Sequence, residues 1–234
     1  MKKFYETVTV EAHQTASTFA VMLDQKSAQT PARQPLQVPS AALAQAIAAE
    51  WEAQSDQIAV DLMPLTQVAA TALDRVSSDT VSYAQTIAAY GGTDLVCYRA
   101  LNPDALVALQ TAAWQPLVDW VAEAFSASLT VTGGVTPVVQ PPATLAALQD
   151  AVADHDIFEL AALGLATTAS GSLVIALALS HCRIDADAAF AAGCLDEIWQ
   201  AEQWGSDEDA ETSRRNARAD IEIAALFFEL CRSP

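Results

Sequence analysis

Residues 160–180 read LAALGLATTASGSLVIALALS and contain no charged side chain. A segment this apolar has two physical options. It crosses a bilayer, for which about 20 residues suffice, or it lies inside a protein body that covers it on every side. Its middle, TTASGS (167–172), is polar and turn-forming. Glu159 sits at one end, and the flanks lack the basic anchors of a span. We therefore expect two short buried helices joined near Ser170 and Gly171, and no membrane insertion. Such helices need surrounding layers, and 234 residues of 52% hydrophobic composition can supply them.

The first third of the chain has a different period. YETVTVEA (5–12) places Val8 and Val10 on one face and Thr7, Thr9 and Glu11 on the other, which predicts a half-buried strand. STFAVMLD (17–24) predicts a second strand and DQKS (24–27) the turn after it. Pro31, Pro35 and Pro39 restrict TPARQPLQVP (30–39) to a short edge strand. Ser40 is a natural N-cap for a helix in which Leu43, Ile47 and Trp51 keep helical spacing.

From Met63 the period is helical. Leu65, Val68, Ala69, Ala72, Leu73 and Val76 form one stripe, and Gly91-Gly92 stops the next helix. DLVCYRA (94–100) reads as an extended link. A long helix from Asn102-Pro103 carries Leu106, Leu109, Ala113 and Leu117, with a kink or break at Pro116. SLTVTGG (128–134) is a stray strand. Further helices are expected near 144–153, 156–168, 172–182 and 185–204, and a last one from Ser206 to about Cys231. Trp51, Trp114 and Trp120 should be mainly core. The expected fold class is α+β: a small antiparallel β-rich domain over 1–62, followed by a larger, mostly helical domain over 63–234.

Eleven Lys and Arg stand against 29 Asp and Glu, a formal net charge of −18, and no Lys or Arg occurs between Arg99 and Arg183. Such a chain repels phosphate backbones and anionic lipid, which argues against nucleic-acid and peripheral-membrane roles. A basic protein partner or an anion-free substrate is the electrostatically permitted choice. The cysteines, Cys97, Cys182, Cys194 and Cys231, form no CxxC pair and read as buried free thiols of a reducing compartment. The opening MKKFYETVTV alternates instead of giving an apolar run, so it reads as neither a secretory nor a transit peptide.

His13, His155 and His181 lack metal-ligand spacing, and neither a metal nor a cofactor is expected. No nucleophile elbow or phosphate loop is present. YGGTD (90–94) lacks the lysine of a phosphate loop and reads as a helix stop. Arg99, near Cys97, could lower that thiol's pKa, but no base accompanies it. No enzyme is expected.

One stretch combines acids with indoles: CLDEIWQAEQWGSDEDAE (194–211). Its second half has a structural account. Gly205 closes one helix in a left-handed conformation, Ser206 caps the next, and Asp207, Glu208 and Asp209 suit the first turn. Glu211 with Arg215, and Arg218 with Glu222, stand four apart, as exposed helix pairs do. DEIWQAEQW is left over. On a helix Cys194, Leu195, Ile198 and Trp199 can face inward, and Glu197, Gln200 and Trp204 share an adjoining face. This is either a buried tryptophan beside a solvated carboxylate or an aromatic-and-acid contact patch.

Four blocks, MPLTQVAATALDR (63–75), DLVCYRA (94–100), LVALQTAAWQPLVDW (106–120) and LDEIWQAEQWG (195–205), resemble in sequence and order the F1-ATPase assembly chaperones that bind the alpha subunit. The resemblance spans nearly the whole chain. It implies a two-domain protein, monomeric and not itself an ATPase, that holds unassembled alpha subunit until beta displaces it. With no transit peptide, it implies a bacterial member acting in the cytoplasm. Carried over by position, the family's acid falls on Glu197, its glutamine on Gln200 and its Trp-Gly on Trp204-Gly205. Trp199 takes the aromatic position, and Tyr98 and Arg99 form the tyrosine-arginine pair. Glu197, Trp199, Gln200, Trp204 and Gly205 are thus the expected partner-binding residues. The residues alone leave a second class open, a cytosolic enzyme or small-ligand binder using a cleft between two domains.

Overall fold

The structure, a computed structural model, describes residues 2–13, 17–205 and 207–233. The early alternation becomes β1 (Val8–Ala12), antiparallel to β2 (Phe19–Leu23) with Val8 opposite Leu23 and Ala12 opposite Phe19. Val8 and Val10 are half-buried while Thr9 and Glu11 are exposed, as a period of two requires. The turn is tighter than expected. Only Asp24 and Gln25 turn, and β3 (Lys26–Ser27) already returns against Met22 and Leu23. The Asp24 carboxylate accepts the N–H groups of Thr7 and Glu6 at 2.9 and 3.0 Å, which holds its pKa below the usual carboxylate range. β4 (Gln37–Val38) pairs with Phe19 and Ala20, so β3 and β4 share the edge of β2 that β1 leaves open.

Ser40 caps α1 (Ala41–Glu52) as expected: its Oγ accepts the Leu43 N–H at 3.0 Å and donates to the Leu230 carbonyl. Leu43, Ile47 and Trp51 are buried. Glu50, on the same helix, caps the next one, α2 (Pro64–Thr71). Its two carboxylate oxygens accept the Leu65 and Thr66 N–H groups at 2.8 Å, which satisfies donors that a helix start leaves unpaired. The stripe Leu65, Val68, Ala69, Ala72 and Val76 is buried, and Leu73 only half so. Past Thr71 the helix widens into one π turn, Ala72–Val76, where the Ser77 N–H reaches the Ala72 carbonyl at 2.9 Å. Asp74 within that turn accepts the Thr30 hydroxyl and the Ala32 N–H. A π turn re-aims side chains without ending the helix, and nothing in the sequence announced it.

By contact the chain divides into two units, one of residues 1–80, 156–162 and 226–234, the other of 81–155 and 163–225. The stretch just after residue 62, with α2 and its π turn, thus groups with the sheet and α1. The second unit holds α3 (Thr80–Ala88), which tightens into a 3₁₀ turn through Gly92, then β5 (Tyr98–Arg99) and α4 (Asp104–Phe125). β6 (Thr132–Gly133) lies parallel to β5. Then come α5 (Pro142–Ala153), α6 (Ile157–Ser170), α7 (Leu173–Ser180), α8 (Ala186–Gly193), α9 (Leu195–Trp204) and α10 (Glu208–Arg232). The molecule is α+β, with a small sheet first and helices after it.

The apolar run forms two helices. Gly171, at φ 67°, joins them, and every residue of α7 is buried. Among the described residues no helix is long and apolar enough to cross a membrane.

Several expectations need correction. The helix expected over 185–204 is two, α8 and α9, divided at Cys194. Just before the division, a Cβ on Gly193 would lie 3.0 Å from Ser170 Cα, a contact tighter than side chains usually make, so glycine eases that approach. α4 runs unbroken through Pro116. Leu109 is 49% exposed, and the inner stripe is Leu106, Gln110, Trp114, Leu117, Val118 and Val121. Trp114 is fully buried and donates its indole N–H to the Ala192 carbonyl at 2.9 Å. Trp120 is only half-buried, against Phe125 and His181.

Asp94 is fully buried. Its Oδ1 accepts the Val96 N–H at 3.2 Å and the Ser172 hydroxyl, and its Oδ2 accepts the Val174 N–H at 3.0 Å. One carboxylate therefore closes the start of a 3₁₀ turn (Leu95–Cys97) and the start of α7. Burial pushes its pKa up to about 6, against the pull of these donors. A carboxylate with a folded pKa above its unfolded value of 3.8 binds its proton more tightly when folded. Its contribution to stability is fully present below about pH 4 and is lost as pH rises through about 6, a change of up to about 3 kcal/mol. Asp94→Asn should be less stable at the acid end, because its amide nitrogen would face a donor and cannot accept, whereas the protonated carboxyl keeps lone pairs on both oxygens. The gap to wild type, read by urea unfolding, should narrow as pH rises to about 7. A gap independent of pH would contradict this account.

Candidate functional site

α9 begins directly after Cys194, and two of its acids, Asp196 and Glu197, occupy the first turn, where they complement the helix dipole. Asp196 is held from below. Its Oδ1 accepts from Gln110 Nε2 at 2.7 Å, and Gln110, only 1% exposed, accepts the Ala100 N–H on its Oε1 at 2.6 Å. Arg99 completes the support. Its Nε donates to the Val96 carbonyl at 2.8 Å, its Nη1 donates to the Gln110 carbonyl at 3.4 Å, and its guanidinium lies 5.4 Å from the Trp114 ring centre. Burial lowers the Arg99 pKa. Of the expected tyrosine-arginine pair, Arg99 serves packing and backbone bonding.

At its other end α9 closes on Gly205, whose N–H donates to the Ala201 carbonyl at 2.8 Å. Gly205 has φ 84° and ψ 172°. The positive φ was expected, but this ψ lies outside the left-handed helical region and in one that essentially only glycine visits. The expected cap Ser206 lies outside the described residues. The capping bond to α10 is made by Asp207, whose Oδ1 accepts the Ala210 N–H at 2.8 Å.

These helix ends form an open groove of about 280 Å³. Glu197, Gln200, Ala201 and Gly205 line one side, and Asp207, Ala210, Ser213 and Arg214 the other. Three of the five expected residues, Glu197, Gln200 and Gly205, are thus brought together, and all three are exposed. Trp199 and Trp204 are not in the groove wall. They pack edge to face with ring centres 5.4 Å apart, Trp199 half-buried and Trp204 75% exposed. The arrangement offers carboxylates, an amide and a free indole face to something outside. Around it, Glu211–Arg215 and Arg218–Glu222 form the expected exposed pairs at 3.9 and 3.3 Å. Pairs of this exposure contribute little to stability.

Thiol chemistry has no support here. Burial pushes Cys97 up to about 12 and Cys194 up to about 11, and Arg99 does not offset this for Cys97. The expectation of four buried thiols holds for these two. Cys231 is half-buried and Cys182 exposed.

Sequence reasoning missed Gln110 and Arg214, and gave Asp207 only a place in the first turn of the last helix. Arg214 carried a signal, since Arg214, Arg215 and Arg218 cluster in a chain with few cations. Gln110 carried none, because its partner Asp196 is 86 residues away.

A sheet-bearing first unit, a helical second unit and an exposed aromatic-acid helix end describe a molecule with a surface of the kind proteins use to meet other proteins. The ATP12 chaperone protein family model matches residues 2–122. Atp12 from Paracoccus denitrificans is 41% identical over 99% of this chain and 98% of that one, with a TM-score of 0.93, and a point mutant of it matches equally. Atu1473 from Agrobacterium tumefaciens is 38% identical over 97% of this chain and 84% of that one, with a TM-score of 0.89. The chain belongs to the ATP12 family, the F1-ATPase assembly chaperones that its sequence resembles. The family model ends before α9, whereas the structural matches extend across it.

Gln110→Glu sets two carboxylates against each other and should destabilise the protein by about 1–3 kcal/mol. Adding Asp196→Asn restores a donor-acceptor pair, so the double variant should recover most of the loss in urea unfolding. Additive losses would show that the Gln110–Asp196 bond does not hold α9.

Proposed function

We propose that this chain is a bacterial cytoplasmic assembly chaperone that binds unassembled F1 alpha subunit as a monomer and keeps it from aggregating until beta subunit takes its place. It neither hydrolyses ATP nor requires a metal or cofactor. The observation that carries this reading is the exposed end of α9. Trp204 is 75% exposed, and beside it Glu197 and Gln200 line an open groove. A large aromatic face left in water, next to charged groups, is what an interface hot spot looks like before its partner arrives. A net charge of −18 suits a basic surface on that partner and steers their encounter. The family supplies the kind of partner, a protein of F1-ATPase assembly. Glu197, Trp199, Gln200, Trp204 and Gly205 are the proposed contact set, with Gly205 shaping the groove and Trp199 backing Trp204.

Glu197→Gln separates contact from support. It keeps the shape and removes the charge. If Glu197 meets a cation on alpha subunit, affinity should fall about tenfold or more, and the melting temperature should stay nearly the same. A destabilised variant that binds alpha subunit with unchanged affinity would sink the interface assignment, and failure of the wild type to bind alpha subunit would sink the function.

A further inference from the structure

Residues 124–149 carry no charged side chain, in a chain otherwise rich in acids. They connect the end of α4 to α5 and include β6. This connection is braced. β6 pairs Thr132 with Tyr98 and Gly133 with Arg99, and the Gly134 N–H donates to the Arg99 carbonyl at 2.7 Å. Gln140, 2% exposed, closes the base. Its Oε1 accepts the Thr130 N–H at 2.8 Å, and its Nε2 donates to the Thr130 carbonyl at 2.9 Å. A side-chain amide thus does for Thr130 what the peptide of a neighbouring strand would do.

Outside this brace stand Val135 at 93% exposure, Val139 at 91% and Val131 at 38%. Leu101, 68% exposed and just before α4, lies against this loop: a Cβ on Gly133 would come within 2.5 Å of Leu101 Cδ2, so glycine makes room for it. Single apolar residues on a surface are ordinary. Three valines on one braced, uncharged loop, with Leu101 packed against it, mark an interaction site.

We propose that Leu101, Val131, Val135 and Val139 are the apolar part of the client-binding surface, and that they cover apolar subunit-contact surface on unassembled alpha subunit. This rests on the function proposed above. A second copy of this chain is the poorer occupant, because two bodies of −18 repel. Surfaces that join permanent subunits are more apolar than ordinary protein surface, and a subunit waiting for its neighbour exposes one. A braced loop also loses little conformational freedom on binding.

The test uses the full chain carrying Val135→Ser and Val139→Ser together, with purified unassembled alpha subunit as the probe. Both side chains stand in water, so the melting temperature should match wild type. Affinity should fall about tenfold or more. Unchanged affinity in the loop variant, with wild-type binding intact, overturns this inference alone. A wild type that does not bind alpha subunit overturns it together with the proposed function. Light scattering of the protein by itself supplies the other arm. A dimer that the loop substitutions dissolve gives the loop to a second copy and also overturns the proposal.

Discussion

A buried carboxylate sits where the helical unit is pinned together. Asp94 accepts from the backbone at the start of α7 and from a 3₁₀ turn far earlier in the chain. α7 is buried throughout and apolar except at its far end, where Ser180 Oγ bonds to His155 Nε2 at 3.1 Å, so its start has no polar side chain of its own to fix its position. Hydrophobic burial favours placing it inside, but burial is non-directional. Asp94 and Ser172 supply the direction. Ser172 Oγ donates to Asp94 and also accepts the Ile175 N–H at 3.1 Å, so the cap and the carboxylate form one network. α8 and α4 pack against α7, and α9 follows α8. The candidate binding face therefore depends on where this carboxylate sets α7.

Among its described residues the same unit has two short strands, β5 and β6, and its non-helical backbone needs other partners. Buried glutamines provide them. Gln110 takes the Ala100 N–H and holds Asp196 at the head of α9. Gln140 takes both polar groups of Thr130. In each case a side-chain amide replaces a missing strand, which keeps buried polar groups paired. The two proposed contact surfaces, the end of α9 and the loop around Val135, each rest on one of these amides. Rigid support behind an exposed contact lowers the ordering cost of binding.

Local period and punctuation made much of the fold legible. Ser40, the stripe on α1 and the break at Ser170-Gly171 all follow from neighbours within a few residues. The failures have a common cause. Beside the division at Cys194, Gly193 comes close to Ser170, a contact distant in sequence that no local pattern carries. On α4 the stripes through Leu109 and through Gln110 differ by one residue, and the apolar leucine misled where the buried glutamine has a partner on α9. The face on α9 could be read because its residues lie within one helix. Asp207 and Arg214 across the groove could not, since they depend on how α10 leaves Gly205.

The central claim is that this groove and its tryptophan are covered by unassembled alpha subunit. Hydrogen exchange of the full chain, with and without purified alpha subunit, tests it most directly. Exchange across residues 195–214 should slow when alpha subunit is present and recover when beta subunit is added. Binding of alpha subunit with exchange across 195–214 unchanged would contradict the account.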